Sequence, residues 1–167
     1  MSKTTVCIVD DHKIVRQGLK ELLEKLGDYE VLEEFESGQL FMESLPLKKP
    51  VDIYILDYSM PKMNGIQVLQ ELEKREEEYK VLLLTQHLDE QIINQAYHYG
   101  ARGFLHKNCT ASDLKFTINN IINIGYSNVS EILKRTKNYE DTIKYISKNE
   151  IFLSNREKEF LQLVCNE

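Results

Sequence analysis

The sequence predicts an α/β fold: a doubly wound, five-stranded parallel sheet in the order 2-1-3-4-5, followed by a helical carboxyl-terminal extension. Three observations predict it. Short continuous apolar runs, Val6-Cys7-Ile8-Val9, Ile53-Tyr54-Ile55-Leu56 and Val81-Leu82-Leu83-Leu84, have the length and β-branched content of strands buried on both faces. Segments with apolar residues at three- and four-residue steps alternate with them, which implies right-handed crossovers and helices on both sheet faces. Each run stops at a polar residue, so the strand ends collect polar groups along one edge, where open α/β sheets bind ligands. The strand order is the common doubly wound choice rather than something the residues spell out.

The first strand runs over 6–9 and ends in Asp10-Asp11. Ile14, Val15, Leu19, Leu22, Leu23 and Leu26 mark the apolar face of the first helix, which Gly27-Asp28 stops. Residues 29–35 alternate loosely and read as an edge strand. Ser37-Gly38-Gln39 opens a short helix through Leu40, Phe41 and Leu45, closed by Pro46. The third strand ends at Asp57. Pro61 and Gly65 break the following loop, and Ile66, Val68, Leu69 and Leu72 define the next helix. The charge run over 73–78 reads as its solvated end. The fourth strand ends at Thr85. A weaker helix over 88–99 places Ile92, Ile93 and Ala96 on one side, and a Gly-rich turn follows. Phe104-Leu105-His106 is a short last strand ending at Lys107. The helix over 113–124 carries Leu114, Phe116, Ile118, Ile121 and Ile122 and ends at Gly125.

Charge and cysteine usage narrow the function classes. Residues 1–125 hold 20 acidic against 14 basic side chains, which accounts for the whole net charge of −6. Such a surface is a poor nucleic-acid ligand by itself. Cys7, Cys109 and Cys165 are odd in number and lack metal-ligand spacing, so they read as reduced thiols in a cytoplasmic protein. The amino terminus has no signal-peptide core, and no apolar run approaches membrane-spanning length.

The strand ends define the chemistry. Asp10 and Asp11, Asp57, Thr85 and Lys107 come to one edge: three carboxylates, a hydroxyl and an ammonium. A lone strand-end Thr is ordinarily a hydrogen bonder, and a lone Lys a solvated charge; their convergence is the signal. Three clustered carboxylates raise one another's pKa values. A hard divalent cation relieves that repulsion, and oxygen ligands with few protein groups suit Mg²⁺. A phosphoryl group added to Asp57, the nucleophile at the centre of the sheet, could be held by the metal, the hydroxyl and the ammonium.

With Asp10-Asp11, Asp57, Met60-Pro61, Gly65, Thr85, Phe104 and Lys107, residues 3–124 resemble the flavodoxin-like receiver domain of a two-component response regulator. The resemblance implies that Asp57 accepts a phosphoryl group from a sensor histidine kinase. It implies that Asp11, Asp57 and the Ser59 backbone carbonyl ligate Mg²⁺, with Asp10 helping through water. Thr85 would move toward the phosphoryl group and Phe104, at the aromatic switch position, would turn inward. Phe replaces the more usual Tyr there, so no phenolic hydroxyl is available. Asn108 follows Lys107 where many receivers have Pro. Ser59 and His87 occupy positions that tune dephosphorylation. Such a protein is not a turnover enzyme: it phosphorylates itself from a donor and dephosphorylates slowly. Homodimers formed on phosphorylation are the expected output.

Residues 125–150 read as a partly helical linker. In 151–167, Leu153-Ser154-Asn155-Arg156-Glu157-Lys158-Glu159 opens a helix with a capping-box pattern and resembles the first helix of a NarL/FixJ (LuxR-type) helix-turn-helix. That domain is read as truncated, so DNA binding is expected only of a full-length form with the complete helix-turn-helix. Two rivals stand beside the transcription-factor reading. One is a stand-alone receiver acting by protein contact. The other is a Mg²⁺-dependent aspartyl phosphohydrolase, against which stands Ser59, where such phosphatases place a second Asp.

Overall fold

The computed structural model describes residues 2–86 and 89–127. The readings for His87, Leu88 and everything beyond 127, including most of the linker and the helix-turn-helix opening, lie outside the described residues. The elements alternate strictly: β1 (Thr4–Val9), α1 (Lys13–Lys25), β2 (Tyr29–Phe35), α2 (Gly38–Glu43), β3 (Ile53–Asp57), α3 (Gly65–Glu73), β4 (Val81–Thr85), α4 (Glu90–His98), β5 (Gly103–His106) and α5 (Ala111–Ile124). They build one five-stranded sheet, β2-β1-β3-β4-β5, with every pairing parallel.

The two-residue period of the strands splits the core in two. Val6, Ile8, Ile53, Ile55, Leu82 and Leu84 face α1 and α5, where Leu23, Leu114, Ile118 and Ile121 cover them. Cys7, Val9, Tyr54, Leu56, Leu83 and Phe104 face the other way, under Phe41 of α2, Val68 and Leu69 of α3 and Tyr97 of α4. Burial on both faces explains why β1, β3 and β4 are continuous apolar runs in sequence. It also raises the Cys7 thiol well above the ordinary range: desolvation is the main cause, and Glu33 and Glu34 add to it. Cys7 is therefore core rather than a reactive group.

Several boundaries and faces differ from the sequence reading. The 73–78 run is not a helix end. Leu72 is the last residue α3 buries, and the helix stops at Glu73 with Lys74 as its C-cap. Beyond it Arg75 bonds the Tyr79 hydroxyl at 3.1 Å and lies 3.5 Å from Glu77, so charge pairs replace the helix. α5 begins at Ala111, two residues early, because Thr110 and Asp113 form a capping box. Ile14 is 84% exposed and Phe116 67%. At 3.6 residues per turn, Ile14 lies about half a turn round α1 from buried Leu23. Phe116, two residues from both Leu114 and Ile118, points away from the sheet for the same reason.

Gly65 is the close-packed point nearest the strand end. A Cβ there would stand 2.7 Å from the Asp57 carbonyl oxygen and 2.9 Å from the Tyr58 Cα, both backbone atoms that cannot yield cheaply. Its N–H meanwhile donates to the Tyr58 carbonyl at 2.8 Å, and Asn64 caps the helix it begins by accepting from the Gln67 N–H. α3 thus starts directly against the end of β3. Gly65→Ala is expected to destabilise the fold by about 1–3 kcal/mol through overpacking. A urea midpoint unchanged from wild type would contradict that reading of the contact.

Candidate functional site

Parallel register sets the geometry. Val9 pairs with Leu56, so the next residue of each strand, Asp10 and Asp57, arrives at the same sheet edge. Asp57 pairs with Leu84, and Thr85 pairs with His106, which brings Thr85 and Lys107 to that edge as well. The Lys107 N–H donates to the Thr85 carbonyl at 2.9 Å, fixing where the lysine leaves β5. Asp10, Asp57 and Thr85 are all buried.

One ammonium joins two strands. Lys107 Nζ lies 3.0 Å from Asp10 Oδ2 and 3.0 Å from Asp57 Oδ1. Asp57 Oδ1 also accepts from the Ser59 N–H at 3.2 Å. Asp57 Oδ2 is buried and has no hydrogen-bond partner. The carboxyl group is therefore held by one oxygen and presents the other. Burial, the largest cause, pushes the Asp57 pKa up, and the Asp10 charge adds to it; the Lys107 hydrogen bond and charge and the Ser59 N–H pull it down without offsetting the rise. For Lys107, burial acts downward, but the hydrogen bonds and charges of Asp57 and Asp10 together outweigh it and hold the ammonium above its ordinary value.

Asp11 supplies the third carboxylate. Its Oδ1 is buried without a hydrogen bond, although His12 Nδ1 lies 3.0 Å away. One ligand atom from each of Asp10, Asp11, His12 and Asp57 fits within 4.8 Å of the others. With oxygens orphaned on two of these carboxylates, the donor set suits a hard divalent cation. His12 is the member that sequence reasoning passed over. It is the N-cap of α1, its N–H donates to Asp10 Oδ1 at 2.8 Å, and its ring nitrogen lies 3.3 Å from the same atom. One turn on, Arg16 Nη1 donates to the Asp10 carbonyl at 2.7 Å. The start of α1 therefore braces Asp10. A metal-capable residue adjoining an acidic pair was the available signal for His12; nothing in local sequence pointed to Arg16.

Of the remaining expected residues, Ser59 lies beside Asp57, and His87 lies outside the described residues. Phe104 is already inward, with 7% exposure and its ring edge-on to Tyr97 at 5.9 Å. Lys62 in the loop after β3 has φ 66°, the left-handed region, which its sequence context did not announce.

Known proteins resemble this chain in sequence and fold. Residues 6–119 match the family model described as the response regulator receiver domain. The chain is 36% identical over 121 residues to the transcriptional regulatory protein UhpA of Escherichia coli K12, covering 72% of this chain and 60% of UhpA. It is 28% identical over 160 residues to the transcriptional regulatory protein YdfI of Bacillus subtilis, covering 96% of this chain and 74% of YdfI. The signal receiver domain of the response regulator NarL from Mycobacterium tuberculosis has a TM-score of 0.67 to this chain at 32% identity, covering 73% of this chain and 98% of that domain. The chain thus spans less than two thirds of the length of the UhpA relative it matches.

The raised Asp57 pKa has a consequence for stability. The folded state holds a proton that the unfolded state has released, between the ordinary carboxylate pKa and the raised one, so stability falls as pH rises through that window. Asp57→Asn removes the ionised group. At pH 7 in chelator the variant is expected to melt above wild type. The gain should shrink on acidification. Thermal melts showing the variant at or below wild type at pH 7, or a gain that grows toward low pH, would contradict the electrostatic account.

Proposed function

The chain belongs to the response regulator receiver family, and on that premise we propose that it is the phosphoacceptor module of a two-component regulator of transcription, with Asp57 taking a phosphoryl group from a phosphohistidine of a sensor kinase. The observation that carries this reading is the asymmetry of Asp57: Oδ1 is held by Lys107 and the Ser59 N–H, and Oδ2 is buried and unengaged. In the proposed step Oδ2 attacks phosphorus in line. An O–P bond forms, the N–P bond of the phosphoimidazole breaks, and the departing imidazole takes up a proton. The product is an acyl phosphate.

Asp11, Asp57 and the Ser59 carbonyl would hold Mg²⁺, with Asp10 acting through water; the convergence of the three carboxylates and the orphaned oxygens of Asp11 and Asp57 support that assignment. The bound ion would neutralise charge developing on the transferred group. Lys107 already stands 3.0 Å from Asp57 and can turn its ammonium to the phosphoryl oxygens. Thr85, buried on the same edge, supplies a hydroxyl from β4. The chain consumes one donor per event and loses the acyl phosphate slowly by hydrolysis, with Ser59 and His87 tuning that rate, so it acts as a switch rather than a turnover enzyme. Phosphotransfer from such a kinase goes with a cytoplasmic location, and no helix among the described residues is long and apolar enough to cross a membrane. Target DNA would be read by the helix-turn-helix of a full-length form.

The output is a change in the face formed by α4, β5 and α5, read by homodimerisation. Added phosphoryl charge draws Thr85 and Lys107 toward it, and the space Thr85 leaves further favours the inward position that Phe104 already holds. Driving such a switch nearly to completion takes about 5.5 kcal/mol of preference for one state, which a few charge-assisted hydrogen bonds at about 1.5–3 kcal/mol each can supply.

Incubation with acetyl phosphate and Mg²⁺ is expected to add one phosphoryl group, seen by intact mass, and Asp57→Asn to abolish the gain. Asp11→Asn should slow uptake by about tenfold or more, equivalent to at least about 1.4 kcal/mol in the barrier. Uptake by Asp57→Asn to the wild-type extent would overturn the acceptor assignment.

A further inference from the structure

After α5 the chain does not leave the domain. Gly125, at φ 96°, turns it back, and the two residues that the sequence places at the start of a linker are buried: Tyr126 is 7% exposed and Ser127 4%. Both groups of the Ser127 backbone are engaged by the α4–β5 unit. Its N–H donates to the Arg102 carbonyl at 2.8 Å, and its carbonyl accepts from the Tyr97 hydroxyl at 2.8 Å in a buried bond. The Tyr126 ring stacks on Tyr97 with centroids 6.1 Å apart and planes 17° from parallel. The Arg102 guanidinium lies over the same ring, 5.2 Å from its centroid, and is itself paired with Glu78 at 3.1 Å. Tyr97 in turn meets Phe104 edge-on.

These contacts form a series. Phe104 supports Tyr97, Tyr97 carries both Tyr126 and Ser127, and Arg102 closes over the outer ring. Arg102 immediately precedes β5, and Phe104 is in it, opposite Leu83 in the register that brings Thr85 to the site. The chain after α5 is therefore fastened through Tyr97 to α4 and through Arg102 to the turn that leads into β5, the strand before Lys107.

We infer that Tyr97, Arg102, Tyr126 and Ser127 are an intrachain clasp, closed when Phe104 is inward, through which phosphorylation of Asp57 tightens the hold on the segment after α5. Inward Phe104 and closed clasp occur together in this structure. A Phe104 ring swung out of the core withdraws the edge that supports Tyr97 and loosens the platform for Tyr126. Thr85 drawn toward a phosphoryl group makes room for the inward ring and so favours the closed clasp. The output passes into the segment after α5 along the same chain, beside any route through a second copy. This coupling rests on the phosphoacceptor reading above.

The test is amide exchange at Ser127 by NMR in the 167-residue chain, with and without acetyl phosphate and Mg²⁺, with phosphoryl uptake measured by mass on the same sample. Exchange at Ser127 is expected to slow by at least about fivefold on phosphorylation. Tyr126→Ala should speed basal exchange and abolish the response while uptake continues. Tyr97→Phe, which keeps both rings and removes the bond to the Ser127 carbonyl, should speed exchange and leave uptake intact. Uptake with unchanged or faster exchange at Ser127, or a full response in Tyr126→Ala, overturns the clasp and leaves the acceptor reading standing. Absence of uptake overturns both.

Discussion

The structure depends on one shared, partly buried ammonium. Lys107 is the cation shared by Asp10 and Asp57, reaching each at 3.0 Å across the sheet edge. Two carboxylates buried without it would leave uncompensated charge, which proteins do not tolerate without several kcal/mol of penalty per ion. One ammonium for two buried carboxylates, with Asp11 beside them, still leaves the cluster net negative. Burial is the main cause of the raised Asp57 pKa, and the Asp10 charge adds to it. A site held together yet short of positive charge is prepared for a cation and for whatever the cation helps to bind.

The neighbours of that interaction each constrain it. The β1–β3 register delivers the two carboxylates together, and the bond from the Lys107 N–H to the Thr85 carbonyl places the ammonium. Gly65 lets α3 approach the end of β3 closely, and His12 and Arg16 brace Asp10 from α1. The two cores then divide the labour. The α1/α5 side is mostly aliphatic, with Leu23, Ile118 and Ile121 fully buried beside the Tyr29 ring. The side under α3 and α4 contains the connected aromatic rings, Phe104, Tyr97 and Tyr126.

Most of the fold was legible because burial on both sheet faces writes itself as unbroken apolar runs. The polar residues ending β1, β3, β4 and β5 then converge by topology alone. What stayed hidden needed contacts that no local pattern encodes. His12 and Arg16 act through backbone geometry at the start of α1. Tyr126 and Ser127 lie in a segment whose Lys-, Asn- and Tyr-rich composition reads as linker, and only their bonds to Tyr97 and Arg102 bring them inside. Ile14 and Phe116 suited apolar faces by type and missed them by angle. The 73–78 charge run could have continued α3, but after Leu72 nothing remained to bury.

The central claim is that Asp57 is held by one oxygen in a charge-deficient, buried cluster. Its most direct test is a carbon-13 NMR titration of the Asp57 side-chain carboxyl, with and without saturating Mg²⁺. The account predicts a midpoint above the ordinary carboxylate value in the metal-free chain and a clear downward shift when Mg²⁺ is added. A midpoint at the ordinary value that Mg²⁺ leaves unmoved would contradict it.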